Sequence, residues 1–137
     1  MSKKDARTAL VQAVITANTG GLLVKWPNAA FTTPNNAPWL RATLLSMPDL
    51  PVTLGNGGYN VADGVLQIDI FEPKDAGDIP AFNTLALMES VFKTGAYLAY
   101  NGQKVRINSA PSRIGAEDSS WWRWIIDINF TAYFTRV

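Results

Sequence analysis

The stretch SSWWRWIIDINFTAYFTR, residues 119–136, constrains the fold of this 137-residue chain more than any other segment. It alternates with period two, the side-chain repeat of a strand. Trp122, Trp124, Ile126, Ile128, Phe130 and Phe134 fall on one face. Trp121, Arg123, Ile125, Asp127, Asn129, Thr131 and Tyr133 fall on the other. The first set has the composition of a core. The second is amphipathic, and Trp121, Ile125 and Tyr133 make it more apolar than a solvated face requires. A strand this long and this apolar cannot leave its backbone edges bare without inviting aggregation. It belongs in the middle of a sheet or under a neighbouring subunit.

The rest of the chain supplies that sheet and a layer to cover it. Ala6, Ala9, Leu10, Ala13, Val14 and Ala17 recur at three-four spacing and predict a helix. Ser2 is placed to cap it, Asp5 favours its positive end, and Gly20-Gly21 stops it. Lys3, Lys4 and Arg7 ahead of this run mimic a secretory leader. Thr8, Gln12, Thr16 and Asn18 interrupt it, however, and no clean cleavage site follows, so it reads as a soluble helix. Residues 22–26 form a short strand, and the turn-rich segment 31–38 leads into a second over 39–46. There Trp39, Arg41, Thr43 and Leu45 lie opposite Leu40, Ala42 and Leu44. In 64–72, Leu66, Ile68 and Ile70 face the core while Gln67 and Asp69 face out, until Pro73 ends the strand.

Asp78 and Pro80 open a second helix, with Ile79, Phe82, Leu85, Ala86, Met88, Val91 and Phe92 as a broad apolar face and Gly95 beyond its end. Residues 97–100 and 103–108 flank Asn101-Gly102 as a hairpin, and 110–120 is a polar connection. Within 47–63, Pro48, Pro51, Gly55, Gly57 and Gly58 break any period and predict a long excursion from the sheet. The order helix, strands, helix, strands is α+β. One domain over 1–137 is expected, an antiparallel or mixed sheet with two main helices on one face and a long Gly/Pro-rich loop.

Composition removes most catalytic chemistry. The chain has no histidine and no cysteine, so Ser-His-Asp and Cys-His catalysis, disulfides and thiolate metal sites are all excluded. The lack of cysteine fits a reducing compartment. A net charge of +1 gives no nucleic-acid stripe and no basic membrane face. No apolar run is long enough to span a bilayer.

Asp69, Glu72, Asp75 and Asp78 form the densest acidic stretch. Their spacing misses that of the twelve-residue calcium loop and Lys74 interrupts them, so they read as turn carboxylates, with Asp78 capping the second helix. No carboxylate pair is marked out for glycoside hydrolysis. LGNGGYNVADG lacks the Gly-Lys-Ser/Thr ending of a phosphate loop and reads as a turn-rich loop that a partner orders. Trp121, Trp122 and Trp124 with Arg123 could stack a sugar or single-stranded nucleic acid, but Glu117, Asp118 and Asp127 flank them. Extra aromatic surface beside an arginine is the composition of a protein contact. A satellite core beneath the long loop is the competing reading. No cofactor and no metal are expected.

One arrangement ties these elements together. Trp39-x-Arg41 precedes the run Gly64-x-Leu66-Gln67-Ile68-Asp69-Ile70-Phe71-x-Pro73, and Gly77 precedes an apolar helix ending at Phe92. A hairpin and a tryptophan-led closing strand follow. This layout resembles the tail terminator proteins of long-tailed, lambda-like bacteriophages, across nearly the whole chain and most specifically in GVLQIDIFEPKDAG. The resemblance implies a structural virion protein and not an enzyme, assembled in the host cytoplasm. Its α+β protomer would form a homo-oligomeric, six-membered ring that caps the tail tube protein, stops polymerisation and meets a head-tail connector or neck protein. Neither direct nucleic-acid recognition nor membrane contact is implied. A tail tube or tail/neck completion protein is the nearest alternative, and a small carbohydrate-binding module or carboxylate-based hydrolase the remote one. A ring contact joins two different patches of the protomer. The expected patches are the 54–63 loop, with Leu54, Asn56, Tyr59 and Asn60, and the closing strand, with Trp121, Arg123, Ile125 and Tyr133.

Overall fold

The computed structural model describes residues 3–75, 77–115 and 120–135. Among them, helices α1 (Lys3–Ala17) and α2 (Ile79–Val91) lie on one side of an eight-stranded mixed sheet. The strands are β1 (Leu23–Lys25), β2 (Trp39–Ser46), β3 (Asp49–Pro51), β4 (Tyr59–Pro73), β5 (Tyr97–Tyr100), β6 (Gln103–Ser109), β7 (Ser112–Ile114) and β8 (Trp121–Thr135). Their order is β1-β2-β4-β8-β6-β5, with β3 beside the start of β4 and β7 beside the start of β8. β1 runs parallel to β2, and the remaining pairs are antiparallel. The fold is α+β.

The closing strand is central. β4 and β8 pair along their whole length without a bulge, from Tyr59 opposite Thr135 to Pro73 opposite Trp121. On its other edge β8 takes β6 over 129–132 and β7 over 124–126. Backbone donors and acceptors on both sides of the most apolar strand therefore have partners, which removes the hazard of a bare edge.

Period two then fixes the core. Ile126, Ile128, Phe130 and Ala132 point toward the helices and are fully buried. They meet Leu66, Ile68 and Ile70 of β4, Leu40 and Ala42 of β2, and Val105 and Ile107 of β6. Each such large side chain contributes about 1.5–3 kcal/mol by leaving water. α1 closes this face with Leu10 and Val14 set among Ala6, Ala9, Ala13 and Ala17, all buried. Those small alanines let the helix backbone lie close to the sheet, where packing is dense. Asn101 and Gly102 turn the β5–β6 hairpin with φ of 51° and 82°. Positive φ at both centres gives the type I′ turn whose twist matches the strands.

The structure departs from the sequence reading at several points. Segment 47–63 is not one excursion: β3 pairs with β4, β4 begins at Tyr59, and only 52–58 remain as a hairpin tip. The tip is closed by Val52 N–H donating to the Tyr59 carbonyl and Tyr59 N–H donating to Thr53 Oγ1, both at 2.8 Å. Glycine and proline mark the turn, but polar Asn60 and Asp63 disguised the strand that follows it. Asp78 sits at the N-cap position of α2, yet its side chain makes no capping hydrogen bond. Its backbone is already helical (φ −101°, ψ −15°), so the carboxylate is not set to accept from the first turn. The broad apolar face of α2 is only partly used. Ala81, Leu85, Met88 and Phe92 are buried, while Ile79 and Phe82 stay 70% and 45% exposed. The polar connection 110–120 contains β7. Ser2, Glu117, Asp118 and Arg136 lie outside the described residues.

Candidate protein interface

Odd-numbered residues of β4 and β8 point away from both helices, onto a sheet face that neither helix covers. At one end of it, Trp39 of β2 lies opposite Phe71 of β4, and their rings stack with centroids 4.0 Å apart and planes at 7°. Phe31 tilts onto Trp39 at 5.2 Å, and Trp121 meets it edge-on at 6.0 Å. The Arg41 guanidinium lies 5.1 Å from the Phe71 ring centroid, a cation–π contact.

Asp69 stands next to this cluster on the outward face, as expected, yet it is fully buried. It accepts a hydrogen bond from Arg41 Nε at 2.8 Å and one from Gln67 Nε2 at 3.0 Å, with Arg123 Nε at 3.7 Å. The physical reason is that the long side chains of Arg41, Gln67 and Arg123 close over it. Beside it in the sheet, a Cβ on Gly115 would stand 2.6 Å from Arg123 Nε and 3.1 Å from Ile125 Cδ1, so a larger residue there would have to displace those two side chains. Two guanidinium groups on one carboxylate leave the cluster with an excess positive charge, and Arg123 Nε and Trp39 Nε1 are buried without hydrogen-bond partners among the described residues.

At the opposite end, Tyr59, Val61 and Asp63 of β4, Thr131 and Tyr133 of β8, Lys104 and Arg106 of β6 and Tyr97 of β5 line an open groove of about 570 Å³. Asp63 accepts from the Thr131 hydroxyl, which accepts from Asn108 Nδ2 at 2.7 Å. Lys104 and Arg106 form no ion pair among the described residues.

Six of the eight residues anticipated from the sequence fall into two groups. Leu54, 96% exposed, and Asn56 sit at the hairpin tip. Tyr59 and Tyr133 are diagonal neighbours beside the groove. Trp121 and Arg123 are half-buried at the other end of β8, roughly 40 Å away at ~3.3 Å per residue. Asn60 turns to the helix side, where its Nδ2 donates to Asp49 Oδ2 at 3.0 Å. Lys3 Nζ also holds Asp49, at 2.7 Å, and this hydrogen-bonded ammonium lowers the Asp49 carboxyl below its ordinary range. Ile125 is only 1% exposed, with Gly115 close against its side chain. Trp39, Arg41, Phe71, Tyr97, Lys104 and Arg106 were not anticipated. Strand alternation set their faces, but only the cross-strand register brings them together.

The acidic stretch is dispersed by the same alternation. Asp69 lies on the uncovered face, whereas Glu72 is 2% exposed on the helix side, where burial raises its carboxyl above the ordinary range. Asp75 and Asp78 are exposed. Among the described residues no three acidic groups converge as a metal site, and no helix is long and apolar enough to cross a membrane. Charge is polarised instead. Lys25, Arg41, Lys104, Arg106, Arg113 and Arg123 share the uncovered face with Asp63, Asp69 and Asp127, whereas the α2 side carries Glu72, Asp75, Asp78 and Glu89 against Lys74 and Lys93.

A family model described as phage tail terminator protein matches residues 5–130. Among solved structures, a chain whose name carries no functional description aligns with a TM-score of 0.76 at 24% identity, covering 98% of this chain and 97% of that one. A chain from the virion of a native gene transfer agent particle aligns with a TM-score of 0.54 at 20% identity, over 96% of this chain and 92% of that one. These two likenesses establish the fold. No curated protein matches the chain.

Proposed function

Since the chain belongs to the phage tail terminator family and is a structural protein of the phage tail, we propose that it acts as a six-membered ring. The ring seats on the finished tube of tail tube protein, stops further subunits from adding, and offers its other surface to a head-tail connector or neck protein. It works by shape and surface chemistry without catalysis, assembles in the host cytoplasm and stays in the virion. It reads no nucleic acid and contacts no membrane.

The observation that carries this reading is the uncovered sheet face. Stacked aromatics and arginines occupy one end of it, and a tyrosine-lined groove the other. Tyrosine, tryptophan and arginine are the residues enriched where proteins dock. A protomer in a closed ring contacts two neighbours through two different patches. Leu54, Asn56, Tyr59 and Tyr133 supply one, and Trp121 and Arg123 contribute to the other. At roughly 800 Å² per contact, two contacts would cover about a fifth of the protomer's 7639 Å².

Native mass spectrometry and negative-stain imaging of the purified protein, alone and with overlong tail tubes, test the reading. Closed rings at tube ends and arrested growth are expected. Long self-assembled tubes would identify a tube subunit, and a monomer with saturable sugar binding would identify the remote alternative. Tyr59→Ala together with Trp121→Ala should prevent ring closure; unchanged rings would remove these patches from the reading.

A further inference from the structure

We infer that the groove at the Tyr59 end takes the start of α2 from a second copy of this chain, an inference that rests on the ring reading. The two surfaces match in chemistry. The groove has aromatic walls from Tyr59, Tyr97 and Tyr133 and two bases, Lys104 and Arg106, without ion pairs among the described residues. The start of α2 presents Ile79 and Phe82, one turn apart and exposed although strongly apolar. Asp75 and Asp78 flank them, exposed and without ion pairs among the described residues. Apolar side chains would lie on aromatic walls and carboxylates beside the bases. The helix end carries only about half a positive charge, which two full carboxylates outweigh.

The placement of the two surfaces says how copies must be related. Phe82 packs 5.0 Å from Trp124, on the helix side and near the start of β8. The groove lies on the other face, near the end of β8. The surfaces therefore do not overlap, cannot meet within one protomer, and face opposite ways. Each copy therefore passes the contact on to the next, and under the ring reading that series closes on itself. The polarised charge of the protomer follows the same logic: bases on the face that receives, acids at the end that is received.

Charge reversal tests this. Lys104→Glu with Arg106→Glu should raise the protein concentration needed for half-assembly at least about tenfold, as should Asp75→Lys with Asp78→Lys. Because every copy carries both surfaces, the chain with all four changes should return to within about threefold of the wild type. Circular dichroism confirms that each variant is folded, and native mass spectrometry with tube-end occupancy reads assembly. Double reversals that assemble like the wild type, or a fourfold variant no better than either pair, overturn the inference. So does a groove variant that forms rings normally but no longer seats on tubes, because the groove then receives the tube protein. In each of these cases wild-type rings persist and the ring reading stands. A wild type that stays monomeric even with tubes overturns both.

Discussion

Asp69→Asn removes one charge and almost no volume from a fully buried position. In the native protein that carboxylate faces Arg41 Nε at 2.8 Å and Arg123 Nε at 3.7 Å. The asparagine leaves two guanidinium groups close together with no anion between them. Losing one partner of a buried ion pair costs about 3–5 kcal/mol. Arg41 and Arg123 keep 33% and 25% of their side-chain exposure, so water screens part of the remaining charge. We therefore expect a loss of about 2–3 kcal/mol. With a urea slope of about 2 kcal/mol per molar, the unfolding midpoint should fall by roughly 1–1.5 M. The control is Asp127→Asn, which loses the exposed Arg113 pair at 3.2 Å and should cost no more than about 0.5 kcal/mol. Equal midpoints for the two variants would refute the claim that burial makes Asp69 the anchor of this face.

Three further outcomes are expected. Phe130→Ala opens a cavity in the helix-side core and should cost about 3–5 kcal/mol, whereas Tyr133→Ala, 57% exposed on the other face of the same strand, should cost under about 1 kcal/mol; urea midpoints compare them directly. Glu72 is held with its pKa raised by burial, so its stabilising contribution is full below the ordinary value of 4.5 and is lost as pH rises through the raised value. Glu72→Gln should therefore match the wild type at pH 4 and exceed it at pH 7, and thermal unfolding at the two pH values would show an inverted order if the sign were wrong. Salt should weaken assembly more than folding, because the proposed contact between copies is charged at its rim while the core is apolar; ring yield against sodium chloride concentration measures it.

Helices, hairpin and closing strand were readable because each rests on a local period or a two-residue turn. The Asn101-Gly102 turn needs positive φ at both residues, and that requirement is written in the residue types. Asp69 was misread because alternation names a face without saying whether that face is wet. Burial there comes from long side chains on three strands, a long-range arrangement that no window of sequence contains. Ile125 was placed on the right face and the wrong surface for the same reason. Lys104 and Arg106 carry no signal of their own within the 103–108 strand. They became part of a site only through a register that sets Arg106 opposite Thr131 and Tyr97. Family likeness conveyed the tail role, whereas the groove exists only in the folded register of β4, β5, β6 and β8.

The ladder between β4 and β8 has a consequence for the order of events during synthesis. β8 is translated after every other strand, yet it lies in the middle of the sheet. Until it emerges, β1 to β4 and the β5–β6 hairpin are two separate fragments, each with an open apolar edge. Pairing Pro73 with Trp121, and Tyr59 with Thr135, closes long loops, which makes the step slow and leaves it to the end. Until β8 is made the nascent chain is thus an aggregation-prone intermediate, and a single late insertion joins its halves. Chaperone demand should accordingly fall on this moment, and the finished sheet, once threaded, cannot lose β8 without dividing in two.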